Sequence, residues 1–415
     1  MASFEESPVQ FEANRLKGIQ GKQSTSLTLR IIKEGRLGYA STTELNDTRR
    51  LVDNAVETAR FGMRAKFELP SLTPYPDIAV YDPAVESISL EKMIALGEEL
   101  VTLVTEHTPD IICEAMAIKE ISSLRIMNSR GGQASYRKSI FSLGIMGTLI
   151  RGTDMLFVGE SQSSCHPLTN PKEITDVVVW QLEQAKNLAS VPTKQMPVIF
   201  TPAGVANALV PSLMVAFNGK TVIQGASPIG KRRGQPVFDH KLRLWDDPTI
   251  AYCPNSRPSD DEGIPSQRTP LIEGGTVASF LYDLQTAALA GTKSTGNGSR
   301  NGGLPTPSPS AFIIAPGKTT FAEMVSDVKE GLVIEQLMGA EQGNILGGDF
   351  SGNVLLGYKV ESGKIVGRVK DTMVSGNVYQ ALKDITAIGS EAKWVGGSVY
   401  TPHIYCPSLS VTSKG

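Results

Sequence analysis

From Ile111 to Ser161 the chain is written in short alternating runs of β-branched and aromatic residues, interrupted at Gly131, Gly132 and Gly152. Residues of that kind fit a pleated surface, and the glycines mark where it turns, so the segment predicts a meander of antiparallel strands. Amphipathic stretches flank it on both sides. Met93, Gly97, Leu100, Val101 and Val104 share one helical face, with Ser89 placed to cap the first turn. Ile174, Val177, Val178, Gln181, Leu182, Ala185 and Leu188 give a second helix, started by Pro171. A sheet bracketed by helices leaves α+β as the fold class: an N-terminal domain of helices packed on an antiparallel sheet.

Upstream of the meander, Leu27, Leu29 and Ile31 alternate with polar residues as in a half-buried strand, and Gly35 punctuates a turn. Leu51, Ala55, Ala59 and Met63 recur at helical spacing from Asp47 onward, with Pro70 closing that stretch. The proline-rich text to Tyr81 reads as a surface connection.

At 415 residues the chain is long enough for two or three domains. Val191 and Pro192 mark the expected boundary, giving domains over 1–192 and 193–415. The second opens with a buried strand, Val198 to Phe200, then a helical stretch from Pro202 to Phe217 that Pro211 should kink or split. Between Gly219 and Pro309 glycine and proline are frequent, which predicts strands joined by long loops. Thr320 and Glu323 form a capping box ahead of a short helix. Val354 to Val360 and Ile365 to Val369 flank a turn at Glu361 to Lys364, a hairpin pattern. Val378, Leu382, Ile385 and Ile388 predict a last helix, and Ser398 to Val411 reads as strands. The second domain is therefore expected to be β-rich.

Forty basic against 42 acidic residues leave a net charge of −2, which supplies no field to gather phosphate backbones or anionic lipid. Lys231, Arg232 and Arg233 form the one basic cluster, without aromatic interleaving, so it reads as a solvated loop and nucleic acid is not an expected partner. The N-terminus lacks a basic flank and apolar core of a secretory signal, and no apolar run approaches the roughly 20 residues needed to span a bilayer. A cytoplasmic location without membrane contact is the expectation. Cys113, Cys165, Cys253 and Cys406 are widely spaced, with no CxxC pair, and read as reduced thiols.

Visible chemistry is sparse. His107, His166, His240 and His403 are far apart, and neither HExxH nor HExxxH occurs, so no metal and no cofactor is expected. On a strand, the spacing of His403 and Cys406 directs them to opposite faces. Asp260, Asp261 and Glu262 before Gly263 could hold a cation or furnish an acid/base pair; with no partner base in sequence, a turn is the simpler reading. Gly291 to Gly303 reads GTKSTGNGSRNGG, glycine-rich like a phosphate cradle but without the GK[ST] ending of a P-loop; close approach to a partner chain or peptide would use the same glycines. No GxSxG elbow occurs, and no catalytic residue emerges from spacing.

Read as a family text, the second half carries more. Asp260-Asp261-Glu262-Gly263-Ile264-Pro265, then Gln267-Arg268-Thr269 and Leu271-Ile272-Glu273-Gly274-Gly275, resembles the DDEG…QRT…LIE-x-G signature of TldD/PmbA proteins. Thr295-Gly296-Asn297-Gly298 with Arg300 resembles the family's TGN-G-x-R loop, and Gly348-Asp349-Phe350-Ser351 its GDFS pattern. In TldD-type members a HExxxH helix follows the opening strand of the second domain, and a cysteine near the C-terminus completes a zinc site. Here the corresponding stretch, about Leu209 to Phe217, reads LVPSLMVAF, and Ser390 to Val395 contains no cysteine. The chain thus resembles the PmbA (TldE) branch.

The resemblance implies that TldD- and PmbA-type chains pair into a dimer enclosing a cavity where an unfolded peptide is held extended and cut by the TldD zinc; a second copy of this chain is the alternative dimer partner. On this reading Asp260, Asp261, Glu262, Gly263, Arg268, Thr295, Gly296, Asn297 and Arg300 line or support the peptide groove, or stabilise the fold and dimer. The competing expectation is a stand-alone homodimeric peptidase or peptide-binding protein. A third, contact with DNA gyrase, follows only from the family's older "modulator of DNA gyrase" label.

Overall fold

A computed structural model describes residues 1–300 and 302–414; Asn301, inside the glycine-rich stretch, lies outside the described residues. The N-terminal half builds one seven-stranded sheet from β1 (Ala2–Glu12), β2 (Arg15–Ile19), β3 (Lys22–Lys33), β4 (Arg36–Thr42), β5 (Ile112–Met127), β6 (Gln133–Arg151) and β7 (Asp154–Ser164). Its order is β4-β3-β1-β5-β6-β7, with β2 paired to β1, and every pairing is antiparallel. The expected meander is thus β5-β6-β7, turning at Gly131 and Gly152, whose positive φ suits glycine.

Four helices accompany this sheet: α1 (Thr48–Ala59), α2 (Pro83–Ser87), α3 (Leu90–His107) and α4 (Lys172–Gln184). Asp47 and Ser89 cap α1 and α3 through their side chains, satisfying amides that the first helical turn leaves unpaired. Leu96, Leu100 and Val104 of α3 and Ile174, Val178 and Leu182 of α4 are buried in one apolar cluster with Phe141, Leu143 and Ile145 of the sheet. Two helix ends differ from the periodic pattern. α1 stops at Ala59 and leaves Met63 exposed, while α4 stops at Gln184 so that Leu188 can join a strand. The proline-rich segment is more than a surface connection, since Ile78 and Val80 are buried with Cys165.

The second half forms a twelve-stranded mixed sheet. Its elements are β8 (Leu188–Ala189), β9 (Lys194–Phe200), α5 (Pro202–Ala208), α6 (Val210–Ala216), α7 (Gly219–Ile223), β10 (Leu244–Asp246), β11 (Thr269–Glu273), β12 (Thr276–Val277) and α8 (Leu284–Leu289). A two-stranded ribbon, β13 (Gly298–Ser299) with β14 (Thr306–Pro307), stands apart. The chain continues through β15 (Phe312–Ile314), α9 (Phe321–Asp327), β16 (Glu330–Met338), β17 (Asp349–Glu361), β18 (Lys364–Val369), β19 (Thr372–Asn377), α10 (Val378–Ala381), β20 (Ala387–Val395) and β21 (Val399–Ser413). The main path runs β12-β11-β10-β15-β21-β9-β16-β17-β18-β8.

Pro211 does divide the helical stretch into α5 and α6, and Thr320 with Glu323 closes both halves of a capping box on α9. The last helix is a single turn, because Ile388 belongs to β20 and pairs with Ile404. The architecture is α+β, with an antiparallel N-terminal sheet and a β-rich C-terminal half. Among the described residues no helix is long and apolar enough to cross a membrane.

Candidate functional site

The sequence Asp260-Asp261-Glu262-Gly263 folds as a tight turn whose aspartate caps its own backbone. Asp260 Oδ1 accepts from the amides of Glu262 and Ile264, both at 2.9 Å, and Gly263 takes φ +78°, which a side chain would strain. Asp260 Oδ2 accepts from the Gly298 amide at 2.8 Å, and Asp261 accepts from the Arg300 amide at 2.7 Å while its carbonyl takes the Arg300 guanidinium at 2.8 Å. The two motifs, 38 residues apart from Asp260 to Gly298, are therefore one hydrogen-bonded knot. A side chain at Gly298 would lie 2.8 Å from Glu262, which explains glycine there.

Around the knot the same logic repeats. Gly296 has φ +74°, and an added Cβ would meet the Pro265 carbonyl at 2.7 Å. Thr295 Oγ1 accepts from the Tyr282 amide at 2.8 Å, and Asn297 donates to Asp246 at 2.7 Å. Asp246 and Asp260 are fully buried; burial pushes the Asp246 carboxyl up to about 7, and burial together with the neighbouring Glu262 raises Asp260. Burial also raises Glu262, with the Arg30 guanidinium opposing the shift.

Glu262 ties the two halves of the molecule together. Its Oε1 pairs with Arg30 of β3, and its Oε2 accepts from the Leu284 amide at 2.6 Å, at the start of α8. Tyr75, in the proline-rich segment, donates to the Gly263 carbonyl at 3.0 Å. Spacing gave no sign of Arg30, Tyr75 or Asp246, which reach the knot from distant parts of the chain.

Arg268 lies apart from these buried groups. Its guanidinium rests over the Trp245 ring, 4.0 Å from the centroid, and borders an open cavity of about 700 Å³ together with Arg233, Gln267, Glu273 and Thr295. Of the nine residues singled out in sequence, Arg268 and Thr295 reach this cavity, while Asp260, Glu262 and Asn297 are buried behind it. The structure gathers them into one region, most of it buried, with Arg268 and Thr295 at the edge of the open cavity.

The ordered motifs of this knot coincide with the matches to known families. Residues 193–413 match the family model described as PmbA/TldA metallopeptidase C-terminal domain, and residues 5–60 match PmbA/TldA metallopeptidase domain 1. The chain belongs to the TldD/PmbA family. Among proteins similar to it, an uncharacterised protein of Methanocaldococcus jannaschii is 27% identical over 92% of this chain and 88% of its own length. A protein named metalloprotease PmbA, from Escherichia coli O157:H7, is 23% identical over 96% and 88% respectively. The crystal structure of TldE from Thermococcus kodakarensis superposes with a TM-score of 0.87 at 20% identity, over 99% of this chain and 96% of that one.

A metallopeptidase family raises the question of a metal, and the donor set answers it for the place where the TldD/PmbA resemblance would put zinc. Leu209 to Phe217 offers no imidazole, carboxylate or thiol; Leu209, Val210, Leu213, Ala216 and Phe217 are buried in the apolar core beside the second sheet. Cys406 is fully buried with its thiol directed at the Ala381 carbonyl, and burial pushes it up to about 12. These side chains do not fit a zinc ion, which needs ionised thiolate, neutral imidazole or carboxylate ligands. His107 pairs with Glu183, His166 with Asp82 and His240 lies beside Asp239, while His403 stacks on Phe321 and its buried Nδ1 has no hydrogen-bond partner among the described residues. Among the described residues no three His, Cys, Asp or Glu side chains are gathered as a metal site.

Proposed function

We propose that the chain is the PmbA/TldE-like, non-catalytic member of a pair that presents unfolded peptides to a TldD-type zinc protease, in peptide maturation or degradation in the cytoplasm. The observation that carries this reading is α6 and its flanks. Where a catalytic helix would display its ligands, this chain spends the segment on core packing, and no group there would lower the pKa of an attacking water. Family membership with the full length of the chain matched to a TldE fold supports a role inside a protease assembly.

In this reading Arg268 and Thr295 face the peptide, and Asp260, Asp261, Glu262, Gly263, Gly296, Asn297 and Arg300 hold that wall in register. A guanidinium that pairs with no carboxylate among the described residues, stacked on an indole, suits a peptide carboxylate or backbone carbonyl. The partner is a TldD-type subunit; self-association is the outcome that would place the same wall in a homodimer.

The test is cleavage of an unfolded peptide by the purified chain, with and without a HExxxH-bearing partner, together with zinc analysis of each. Cleavage and zinc that appear only with the partner are expected. Stoichiometric zinc and chelator-sensitive cleavage by this chain alone would overturn the reading.

A further inference from the structure

A second cavity, of about 760 Å³, lies in the seam between the two sheets, bordered by β1, β5, β6 and β7 on one side and by α5, β16 and β17 on the other. Its walls are largely apolar, including Met116, Met146, Phe157 and Leu355. Met116 and Met146 stay exposed at 39% and 61%, and methionine side chains adapt their shape to what they contact. The charges on its lining are four glutamates, Glu12, Glu114, Glu160 and Glu335, against the single Lys17, which is paired to Glu12.

Glu335 decides what the cavity is built for. It interrupts the apolar run Gly331 to Leu337 of β16, and the register of β16 against β17 shifts between Ile334 and Gln336, so Glu335 sits at a bulge. Bulges re-aim side chains, and this one sends a carboxylate to the cavity wall rather than into the ladder. The residue is only 8% exposed. Its Oε2 accepts from Thr201 Oγ1 at 3.3 Å, and the Gln181 side chain is a further hydrogen-bond partner. A carboxylate this deeply buried, held only by neutral hydrogen-bond partners, is costly to keep ionised, and a cation brought into the cavity would lower that cost.

The charged and titratable groups facing it come from three elements, with a neutral amide from a fourth. Glu160 on β7 repels it, Lys393 on β20 attracts it, and Tyr358 on β17, itself raised by burial, lies close by. Gln181 of α4, whose amide bonds the Gly159 backbone on β7, closes the remaining side. Burial first, and then Glu160, push the Glu335 carboxyl up to about 7.

We propose that the seam cavity binds a cationic, apolar-flanked peptide segment, with the lysine or arginine side chain completing Glu335 and Glu160 and the neighbouring residues packing on Met116 and Met146. Two carboxylates in an apolar chamber select a positive charge, and an arginine or lysine stem adds methylene packing that a bare ion lacks. The inference rests on reading the chain as a peptide-holding subunit, and assigns that role a specificity the Arg268 wall does not have. Because the cation binds the ionised form of Glu335, affinity rises as pH increases through about 7.

The experiment is direct binding, by calorimetry, of a blocked tetrapeptide carrying one lysine and of its Nε-acetyl counterpart to the full chain without any protease partner. The lysine peptide is expected to bind at least about tenfold more tightly, and Glu335→Gln to erase that difference, as for loss of one charge-assisted hydrogen bond. Equal affinity of the two peptides, or a Glu335→Gln chain that keeps the preference, would overturn the proposal. Ala206→Phe, which fills the cavity from α5, serves as a second variant: it should abolish binding of the lysine peptide, and retained binding also refutes the site. Partner-dependent cleavage is read separately. Its absence with lysine selectivity intact sinks the protease-subunit reading alone, and its presence without selectivity sinks the seam site alone.

Discussion

Replacing Arg30 by methionine isolates the ion pair that joins the first sheet to the motif loops. Methionine keeps most of the stem packing but removes the charge opposite Glu262, whose side chain is 1% exposed against 12% for Arg30. Breaking a buried pair by deleting one partner costs about 3–5 kcal/mol. The low end applies, because Glu262 keeps its Leu284 amide and can take up a proton, while loss of the guanidinium over the Phe67 ring adds about 0.5–1 kcal/mol. About 3.5–4 kcal/mol is therefore expected, or a fall of a little over about 1 M in the urea midpoint for an m-value of about 3 kcal/mol/M.

The penalty has a signed pH dependence. Without Arg30 the folded-state pKa of Glu262 rises further above its unfolded value, so the folded chain binds the extra proton. Stability is then fully present below the unfolded pKa and is lost as pH rises through the folded one. The Arg30→Met defect should be smaller at pH 5 than at pH 8. A double-mutant cycle with Glu262→Gln completes the test: the double variant should lose at least about 1 kcal/mol less than the sum of the singles. Additive losses, or a defect that does not grow with pH, would refute the pairing as the seam's brace.

Two further outcomes follow from the knot. Gly296→Ala should destabilise by about 1–3 kcal/mol, from positive φ and the clash with the Pro265 carbonyl, and an unchanged denaturation midpoint would remove the argument that the loop demands glycine. Asp246, held near 7 by burial, should make the chain lose stability as pH rises from about 4 to about 7, and Asp246→Asn should flatten that slope; an identical pH profile in the variant would contradict it.

The elements that were legible in sequence are those whose stabilising contacts are local. The β5-β6-β7 meander, α3 with its Ser89 cap, the split at Pro211 and the capping box at Thr320 each rest on residues within a few positions of one another. Periodicity failed where a tertiary partner took over. Ile388 continues the helical spacing of Val378 and Leu382, yet pairing with Ile404 draws it into β20. Leu188 likewise leaves the α4 pattern to pair beside Arg368 of β18.

The chemical reading divides in the same way. The sequence alone determined the family, because its motifs are ordered, glycine-rich turns whose residue types answer to backbone geometry. It also determined that no HExxxH helix is present. Only the tertiary structure decided that Asp260 and Glu262 are buried braces, that Arg30 and Tyr75 reach them, and that Arg268 remains on an open wall. The tertiary structure alone turned Glu335 from one acid in an apolar strand into a carboxylate on the seam cavity. The reason is physical: burial and pairing of a charge depend on what lies across space from it, and a linear spacing records only what lies along the chain.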